Sequence, residues 1–442
     1  MTKLYSYFAE QLGNIAPNKA VVAFSGGVDS HVLLTLLAQY RDTHKIDCLA
    51  VHVHHGLSPH ADDWAEQCVC WGKKVGIPVV IEKVSLDFSS GQSLEHVARE
   101  ARYTALSKHV SHGDCLLLGQ HADDQIETFL LALKRGSGPK GLSSMGAQGP
   151  FAKGQLLRPL LGVTRSEIEA FAHEHHLEWV SDESNQDERF DRNFLRHQIV
   201  PLLTQRWSGF HQAVLRSAEL CAQQELLLEE LLADKLDQAL YSDGSLSIEK
   251  LQDCTEQVRL QLCRYWLKQL NQPMPSRQHT EMIWYEVALA SLDANPILTL
   301  GQYDIRRFQQ RLYCVAHQRD ISQWSDRLTL DQPVVLPDSL GSLQLIRTGK
   351  GQIALPKECK SVDIIFDPTG LSACPYGRVG SRKLKKLYQE YGVPSWLRRR
   401  LPILLYQQQV IAIAGLFVSR DFYGQECELI WDKSAHNVAN FT

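Results

Sequence analysis

Ala20-Val21-Val22-Ala23-Phe24-Ser25-Gly26-Gly27-Val28-Asp29-Ser30 is the stretch that decides the fold. Ala20 to Phe24 is a short apolar run, read as a buried strand, and Ser30 to Tyr40 has helical periodicity. Two glycines stand between them. Without a Cβ they let backbone amides turn toward a ligand. The helix start behind them adds free N–H groups and a partial positive charge. Ser25 and Ser30 add hydroxyl donors. Ser25, Gly26, Gly27, Val28, Asp29 and Ser30 are therefore expected to form a nest for phosphate oxygens. The loop lacks the lysine and the G-K-[ST] ending of a Walker A loop. An aspartate beside polyphosphate makes sense with a magnesium ion between them, so Asp29 is a candidate metal contact.

Outward from this loop, strand and helix signals alternate. Cys48 to His54, Val79 to Val84 and Cys115 to Gly119 read as further strands. Helices are expected from Pro59 to before Gly76, from Leu94 to Val110 and from about Asp123 to Arg135, the last stopped at Gly136. Such alternation predicts an α/β domain with a parallel, Rossmann-like sheet, binding its ligand at the carboxyl ends of the strands. Residues 136–154, rich in Gly, Ser and Lys, read as a mobile loop. Thr164 and Glu167 form a capping box, and Glu188 to Thr204 reads as helix. Beyond about residue 210 the chain turns Leu- and Gln-rich with helical periodicity, and after Pro296 it becomes strand-like. Pro333 and Pro337 mark a linker. The expected organisation is a catalytic domain at 1–212, a mainly helical domain at 213–330 and an α+β domain at 331–442, in keeping with about 150 residues per domain.

Four other motifs carry chemistry. Gly119-Gln120-His121-Ala122-Asp123-Asp124-Gln125-Ile126-Glu127 follows a strand. Spacings of three and four group its carboxylates on one side of a helix, where they can hold a metal ion or an ammonium group. Carboxylates at a helix start are also simply good dipole partners. His52-Val53-His54-His55-Gly56-Leu57 follows another strand; a turn near the nucleotide, with His52 a nucleotide contact, is favoured over a histidine metal site. In the stretch from Asp182 to Arg196, Arg189, Arg192 and Arg196 are spaced to share a helix face and to present guanidinium to a carboxylate or phosphate; a salt-bridged surface helix is the plain alternative. Between Ser381 and Arg400 lie seven basic residues, Arg382, Lys383, Lys385, Lys386, Arg398, Arg399 and Arg400, and one acid, Glu390. Tyr388, Tyr391 and Trp396 interleave with them. Basic density with aromatics favours RNA over a merely solvated face.

The bulk numbers bound the rest. The chain has 442 residues, 44% hydrophobic and 22% charged, ordinary for globular proteins, with a net charge of −4, so any nucleic-acid contact rests on local basic patches. Eleven cysteines lack C-x-x-C pairing, which reads as a reduced cytoplasmic protein rather than a zinc or iron–sulfur one. The first residues lack the apolar core of a signal peptide. The apolar stretch Leu401 to Val418, broken by Gln407, Gln408 and Gln409, reads as two strands and not a membrane span.

The S-G-G-x-D-S string resembles the pyrophosphate loop of N-type ATP pyrophosphatases (the PP-loop family). The five motifs in order, SGGVDS (25–30), HVHHGL (52–57), LGQHADDQIETFLLALKRGSG (118–138), DESNQDERFDRNFLRHQIVP (182–201) and KLKKLYQEYGVPSWLRRRLPIL (383–404), resemble the tRNA(Ile)-lysidine synthetase family over nearly the whole chain. The resemblance implies a fold of PP-loop ATPase domain, helical domain and small α+β C-terminal domain. It implies ATP as substrate, with magnesium, and L-lysine and an isoleucine tRNA with a CAU anticodon as partners; a homodimer stays open. The implied reaction adenylates the C2 oxygen of the wobble cytidine, after which the lysine side-chain amine displaces AMP. By the same resemblance Asp124, Glu127 and Arg192 hold lysine and the late basic module binds tRNA. Their place beside the carboxylate cluster makes Asp124 or His121 the candidate proton acceptor; Asp29 is a further catalytic candidate, and Asp29 and Asp123 are metal candidates. Gln120 and His55 depart from the residues common among relatives. The rival readings are a tRNA thiolating enzyme, which would generally carry paired cysteines or a cluster, and a nucleotide-binding module without catalysis, which would need the loop but not the carboxylates and arginines.

Overall fold

The computed structural model describes residues 2–86, 94–181, 183–291 and 294–433; Asp182 of the arginine motif lies outside them. The chain divides into two compact units, Met1–Glu230 and Leu231–Thr442.

In the first unit α1 (Lys3–Ile15) precedes β1 (Lys19–Ala23), α2 (Val28–His44), β2 (Asp47–His54), α3 (Ala61–Val75), β3 (Val79–Lys83), α4 (Leu94–Ser107), β4 (Cys115–Leu117) and α5 (Ala122–Lys134). A short helix, α6 (Pro139–Leu142), and a hairpin, β5 (Gln148–Phe151) and β6 (Gly154–Leu157), follow, and α7 (Arg165–Glu174) comes next. The sheet runs β3-β2-β1-β4-β6-β5. All pairings are parallel except that of β5 with β6 at the edge. The order reverses direction between β1 and β4, and at such a point the loops part to leave a crevice.

The strands alternate between two cores. Ala20 and Val22 face one with Leu33, Leu37, Phe8 and Trp71, while Val21 faces the other with Val51, Leu106 and Leu116. Burial on both faces explains why β1 reads as an unbroken apolar run.

Three local readings change. The helix expected from Pro59 starts at Ala61, and Pro59-His60 forms the turn before it. Residues 136–154 are an ordered segment and not a loose loop. Gln125 clamps Met145 in both directions at 3.0 Å, Arg158 Nη1 donates to the Gly146 carbonyl at 2.7 Å, and the hairpin extends the sheet. The helix expected from Glu188 begins at Asp191 and passes through a π-turn, Leu195–Ile199, before Val200–Arg206. The Thr164–Glu167 capping box forms as expected, with Thr164 N donating to Glu167 Oε2 at 2.9 Å and Glu167 N to Thr164 Oγ1 at 3.3 Å.

In the second unit, helix Glu256–Gln269 and the turns after it pack on a four-stranded antiparallel sheet whose central strands are Tyr303–Phe308 and Arg311–Ala316. A five-stranded antiparallel sheet follows, with helix Leu384–Glu390 against it. Pro333 and Pro337 flank the short strand Val334–Val335, which pairs with Ser342–Arg347, so this stretch is folded in and not a free linker. Ile403–Tyr406 and Gln409–Ile413 form the hairpin expected from the glutamine-broken run. Gln407 and Gln408 both take positive φ, 48° and 66°, as a tight two-residue turn demands. Among the described residues no helix is long and apolar enough to cross a membrane.

Candidate active site

The motifs after β1, β2 and β4 meet in one cleft of about 420 Å³, lined among others by Ser25, Asp29, Ser30, His52, Gln120, Asp124 and Arg192. The phosphate loop is pre-shaped. Gly26 N donates to Ser30 Oγ at 3.2 Å, Gly27 N lies 3.4 Å from Ser25 Oγ, and Ser30 Oγ donates to the Gly27 carbonyl at 2.9 Å. Gly26 has φ +87°, and a Cβ there would sit 2.8 Å from Val180 Cγ2 and 3.0 Å from Cys68 Sγ. Gly27 caps α2 with no side-chain bond, so Val28 and Asp29 open the helix with its positive dipole end toward the cleft. Gly119 lets the end of β4 approach this helix start: its Cβ would lie 3.2 Å from the Asp29 carbonyl carbon.

His52 is buried. Its Nδ1 donates to the Phe24 carbonyl at 2.9 Å, which leaves Nε2 as an acceptor, and burial pushes its pKa down, so the ring stays neutral. His55 is pushed down by burial to about 4. His52 and His54 lie in the last residues of β2, and His55 leads from the strand into the bend at Gly56.

Asp29 is bound by Arg165, whose Nη1 donates to both carboxylate oxygens at 2.9 and 2.8 Å. Burial raises the Asp29 pKa, with His121 and Arg165 opposing. His121 is almost wholly enclosed: Nε2 lies 3.4 Å from Asp124 Oδ2 and 3.7 Å from Asp29 Oδ1, and Nδ1 lies 3.5 Å from Asp123 Oδ2. Burial pushes the imidazole pKa down, but contact with Asp123 and the charges of Asp124 and Asp29 outweigh this and raise it. Asp123 accepts Arg165 N at 2.8 Å and His211 Nε2 at 2.9 Å. Burial pushes its pKa up, yet contacts with His121, Arg165 and His211 hold it far below the carboxylate range.

Behind the cleft lies a carboxylate–guanidinium cluster. Glu127, fully enclosed, accepts Arg192 Nε at 2.8 Å, Arg196 Nε at 2.7 Å and Arg196 Nη2 at 3.0 Å. Asp124 accepts the His121 backbone N–H at 3.1 Å and Arg196 Nη2 at 2.9 Å. The expected trio Asp124, Glu127 and Arg192 is thus brought together, but only Asp124 and Arg192 line the cleft. Arg189 does not join them; it precedes the helix and, itself exposed, pairs with half-buried Asp187 at 2.7 Å.

Two residues of this cluster were missed or undervalued in the sequence. Arg196 was grouped with Arg192 but not assigned to the site. Arg165 was not singled out at all. Its signal was there: an arginine one residue after a capping-box threonine sits against the helix dipole, so an acidic partner is to be expected.

The basic residues of the second unit separate into kinds. Leu384, Leu387 and Tyr388 bury one side of their helix, leaving Lys383, Lys385 and Lys386 exposed and Tyr388 unavailable for stacking. Arg382 and Arg378 both pair with Glu390. Arg398 Nε donates to the Val393 carbonyl at 3.0 Å, and Arg399 is exposed. Arg400 is 8% exposed and pairs with Asp338 at 2.6 Å, which makes it a strut of the fold and a poor RNA contact.

Comparison with known proteins agrees along the length of the chain. The family described as "PP-loop domain" matches residues 2–203, that described as "TilS substrate binding domain" matches 246–313, and that described as "TilS substrate C-terminal domain" matches 362–433. The chain is 57% identical over 438 residues to a tRNA(Ile)-lysidine synthase of Vibrio cholerae, covering 99% of this chain and 100% of that protein. It is 52% identical over 416 residues to a tRNA(Ile)-lysidine synthase of Photobacterium profundum, covering 94% and 95%. Among solved structures, the U34-tRNA thiolase NcsA from Methanococcus maripaludis aligns with a TM-score of 0.43 at 18% identity, over 50% of this chain and 78% of that one.

Proposed function

The chain belongs to the tRNA(Ile)-lysidine synthase family, and we propose that its cleft brings ATP and lysine to the same nucleobase, with Asp29, Asp124 and Arg192 as the contacting side chains. The enzyme is a ligase that forms a carbon–nitrogen bond on tRNA(Ile). ATP adenylates the C2 oxygen of cytidine 34, and the lysine amine then displaces AMP to give lysidine. A cytosine carbonyl oxygen is a poor leaving group, and turning it into AMP splits one hard step into two easier ones. The observation that carries this reading is the convergence of the three strand-end motifs on one crevice at the switch point of the sheet.

The loop from Ser25 to Ser30 holds the pyrophosphate with backbone N–H groups and the α2 dipole. His52 offers Nε2 as an acceptor to a nucleotide hydroxyl or amino group. For magnesium, Asp29 fits best: it borders the phosphate loop, and magnesium takes one or two carboxylates with phosphate oxygens completing its shell. Asp123 fits less well, because it does not line the cleft; at Asp29 the ion would share the carboxylate with Arg165, which spans both its oxygens. Bound there, the ion would neutralise charge on the departing pyrophosphate.

Free lysine carries a carboxylate and two amino groups, and the cleft offers groups of both signs, Asp29 and Asp124 with Arg102 and Arg192. Arg192 suits the lysine carboxylate and Asp124 faces the side-chain amine, with Glu127 acting from behind by aiming the two guanidiniums. The attacking amine must shed a proton. His121, enclosed by Asp29, Asp123 and Asp124, is poorly placed to take it and instead clamps Asp29 against Asp124; Asp124 is the group left to meet the amine. Lys383, Lys385, Lys386, Arg382, Arg398 and Arg399 supply the phosphate contacts to tRNA. Preformed adenylated tRNA, mixed with lysine in a single turnover, tests the site: Asp124→Asn should slow lysine transfer at least tenfold, and unchanged transfer would clear Asp124 of the role.

A further inference from the structure

The second unit holds a pocket that none of the motifs announced. It is about 270 Å³ and lies between the strand pair Tyr303–Phe308 and Arg311–Ala316 on one side and residues 396–400 on the other. Its lining includes Arg306, His317, Arg319, Trp396 and Arg399. Four arginines face two aspartates around its wall, Arg306, Arg319, Arg399 and Arg400 against Asp304 and Asp320. The wall is therefore cationic in a chain whose net charge is −4.

The pocket is preformed. Arg400 ties its two sides together, donating to the Arg319 carbonyl at 3.2 Å and pairing with Asp338 at 2.6 Å. Trp396 is braced by Tyr313, ring centroids 5.2 Å apart, and by Phe308 at 6.2 Å. Asp304 accepts Arg306 Nη2 at 2.8 Å, and its other oxygen lies 3.1 Å from His317 Nε2, which fixes both side chains at the wall. Among the described residues Arg306 Nε is buried and has no hydrogen-bond partner.

We infer that this pocket takes one unpaired nucleotide of the RNA substrate, its phosphate on Arg399 and Arg319 and its base against Trp396. Cationic groups beside a braced aromatic are the combination that holds single-stranded nucleotides, the base by stacking and the backbone by charge. The volume falls below the ~300–1,000 Å³ of drug-sized ligand sites, which suits a single nucleotide and excludes a duplex. The inference rests on the reading of this chain as a tRNA-modifying enzyme, and it adds an anchoring site apart from the reaction cleft.

The test uses the full-length enzyme and tRNA(Ile), with affinity measured by filter binding at several salt concentrations. Arg319→Gln/Arg399→Gln should weaken binding and flatten the log Kd against log salt slope by about 1–2, since each lost phosphate contact removes roughly 0.9. Trp396→Leu should weaken binding roughly 5- to 100-fold with the slope unchanged, as expected for a lost stacking contact, and Trp396→Phe should restore most of it. Wild-type affinity and slope in both Trp396→Leu and the double arginine variant would overturn the inference. If Trp396→Leu fails to fold by circular dichroism, the arginine variant decides alone. A wild-type enzyme that released no pyrophosphate with tRNA would instead sink the parent reading, so the two failures are separable.

Discussion

Glu127→Gln is the substitution that best probes the cluster behind the cleft. The side chain is fully enclosed and accepts three short bonds, from Arg192 Nε at 2.8 Å and from Arg196 Nε and Nη2 at 2.7 and 3.0 Å. Glutamine keeps the shape but removes the charge and turns an NH2 group toward guanidinium donors. Removing one partner of a buried ion pair costs about 3–5 kcal/mol. The two guanidiniums are about one-third exposed (31% and 34%) and regain water, so the loss should fall below that range, at about 2–3 kcal/mol. Arg196→Met should cost a similar amount, because it removes two of the three bonds and one from Asp124. The double variant should lose less than the sum, with a coupling of about 1–3 kcal/mol. Urea unfolding at pH 7 measures all three. Because Glu127 aims Arg192 without lining the cleft, Glu127→Gln should also raise KM for lysine while leaving KM for ATP unchanged. Additive losses within about 0.5 kcal/mol would refute the claim that the three residues act as one unit.

Gly26→Ala should abolish pyrophosphate release and cost roughly 1–2 kcal/mol from its left-handed φ alone, with more from the approach to Val180 Cγ2 at 2.8 Å; near wild-type activity would show that the loop is not held this tightly. Lys383→Gln/Lys385→Gln/Lys386→Gln should weaken tRNA binding and lower the salt slope by up to about 3, whereas Arg400→Gln should act mainly on unfolding, through loss of its partner Asp338. Burial pushes the Asp304 carboxyl up, but Arg306, Thr299 and His317 hold it below its ordinary 3.8. Its contribution to stability is therefore complete above pH 3.8 and lost as pH falls through the lower folded value. Acid unfolding of wild type and Asp304→Asn should converge at that low pH and differ most near pH 5. Asp29→Asn should raise the magnesium concentration needed for half-maximal pyrophosphate release; an unchanged requirement would confine Asp29 to anchoring Arg165.

The first half of the fold was legible because its signals are local. A buried strand, a glycine turn and a capped helix each declare themselves within ten residues, and β1 through α5 lie within a few residues of their expected bounds. Residues 136–154 were misread because composition rich in Gly and Ser marks turns but cannot report that Gln125, more than ten residues upstream, pins them. The carboxylates and Arg192 were visible as types at helical spacing. Which of them face the cleft was not, since that depends on where residues 191–199 cross α5, some 65 positions later in the chain. The partner of Arg165, Asp29, lies 136 positions away, and the Trp396 pocket is likewise assembled from segments distant in sequence, so no window of residues contains either pairing. Arg400 was indistinguishable from Arg399 by charge alone, and only burial against Asp338 separates them.

The most direct measurement combines purified enzyme, ATP, tRNA(Ile) with a CAU anticodon and labelled lysine, and counts pyrophosphate released against lysine bound to RNA. The expected result is one of each per turnover, with pyrophosphate release needing the tRNA and lost in Gly26→Ala. Pyrophosphate released at the same rate without tRNA, or label that never enters the RNA, would contradict the claim that the crevice hands AMP from ATP to a nucleobase for lysine to displace.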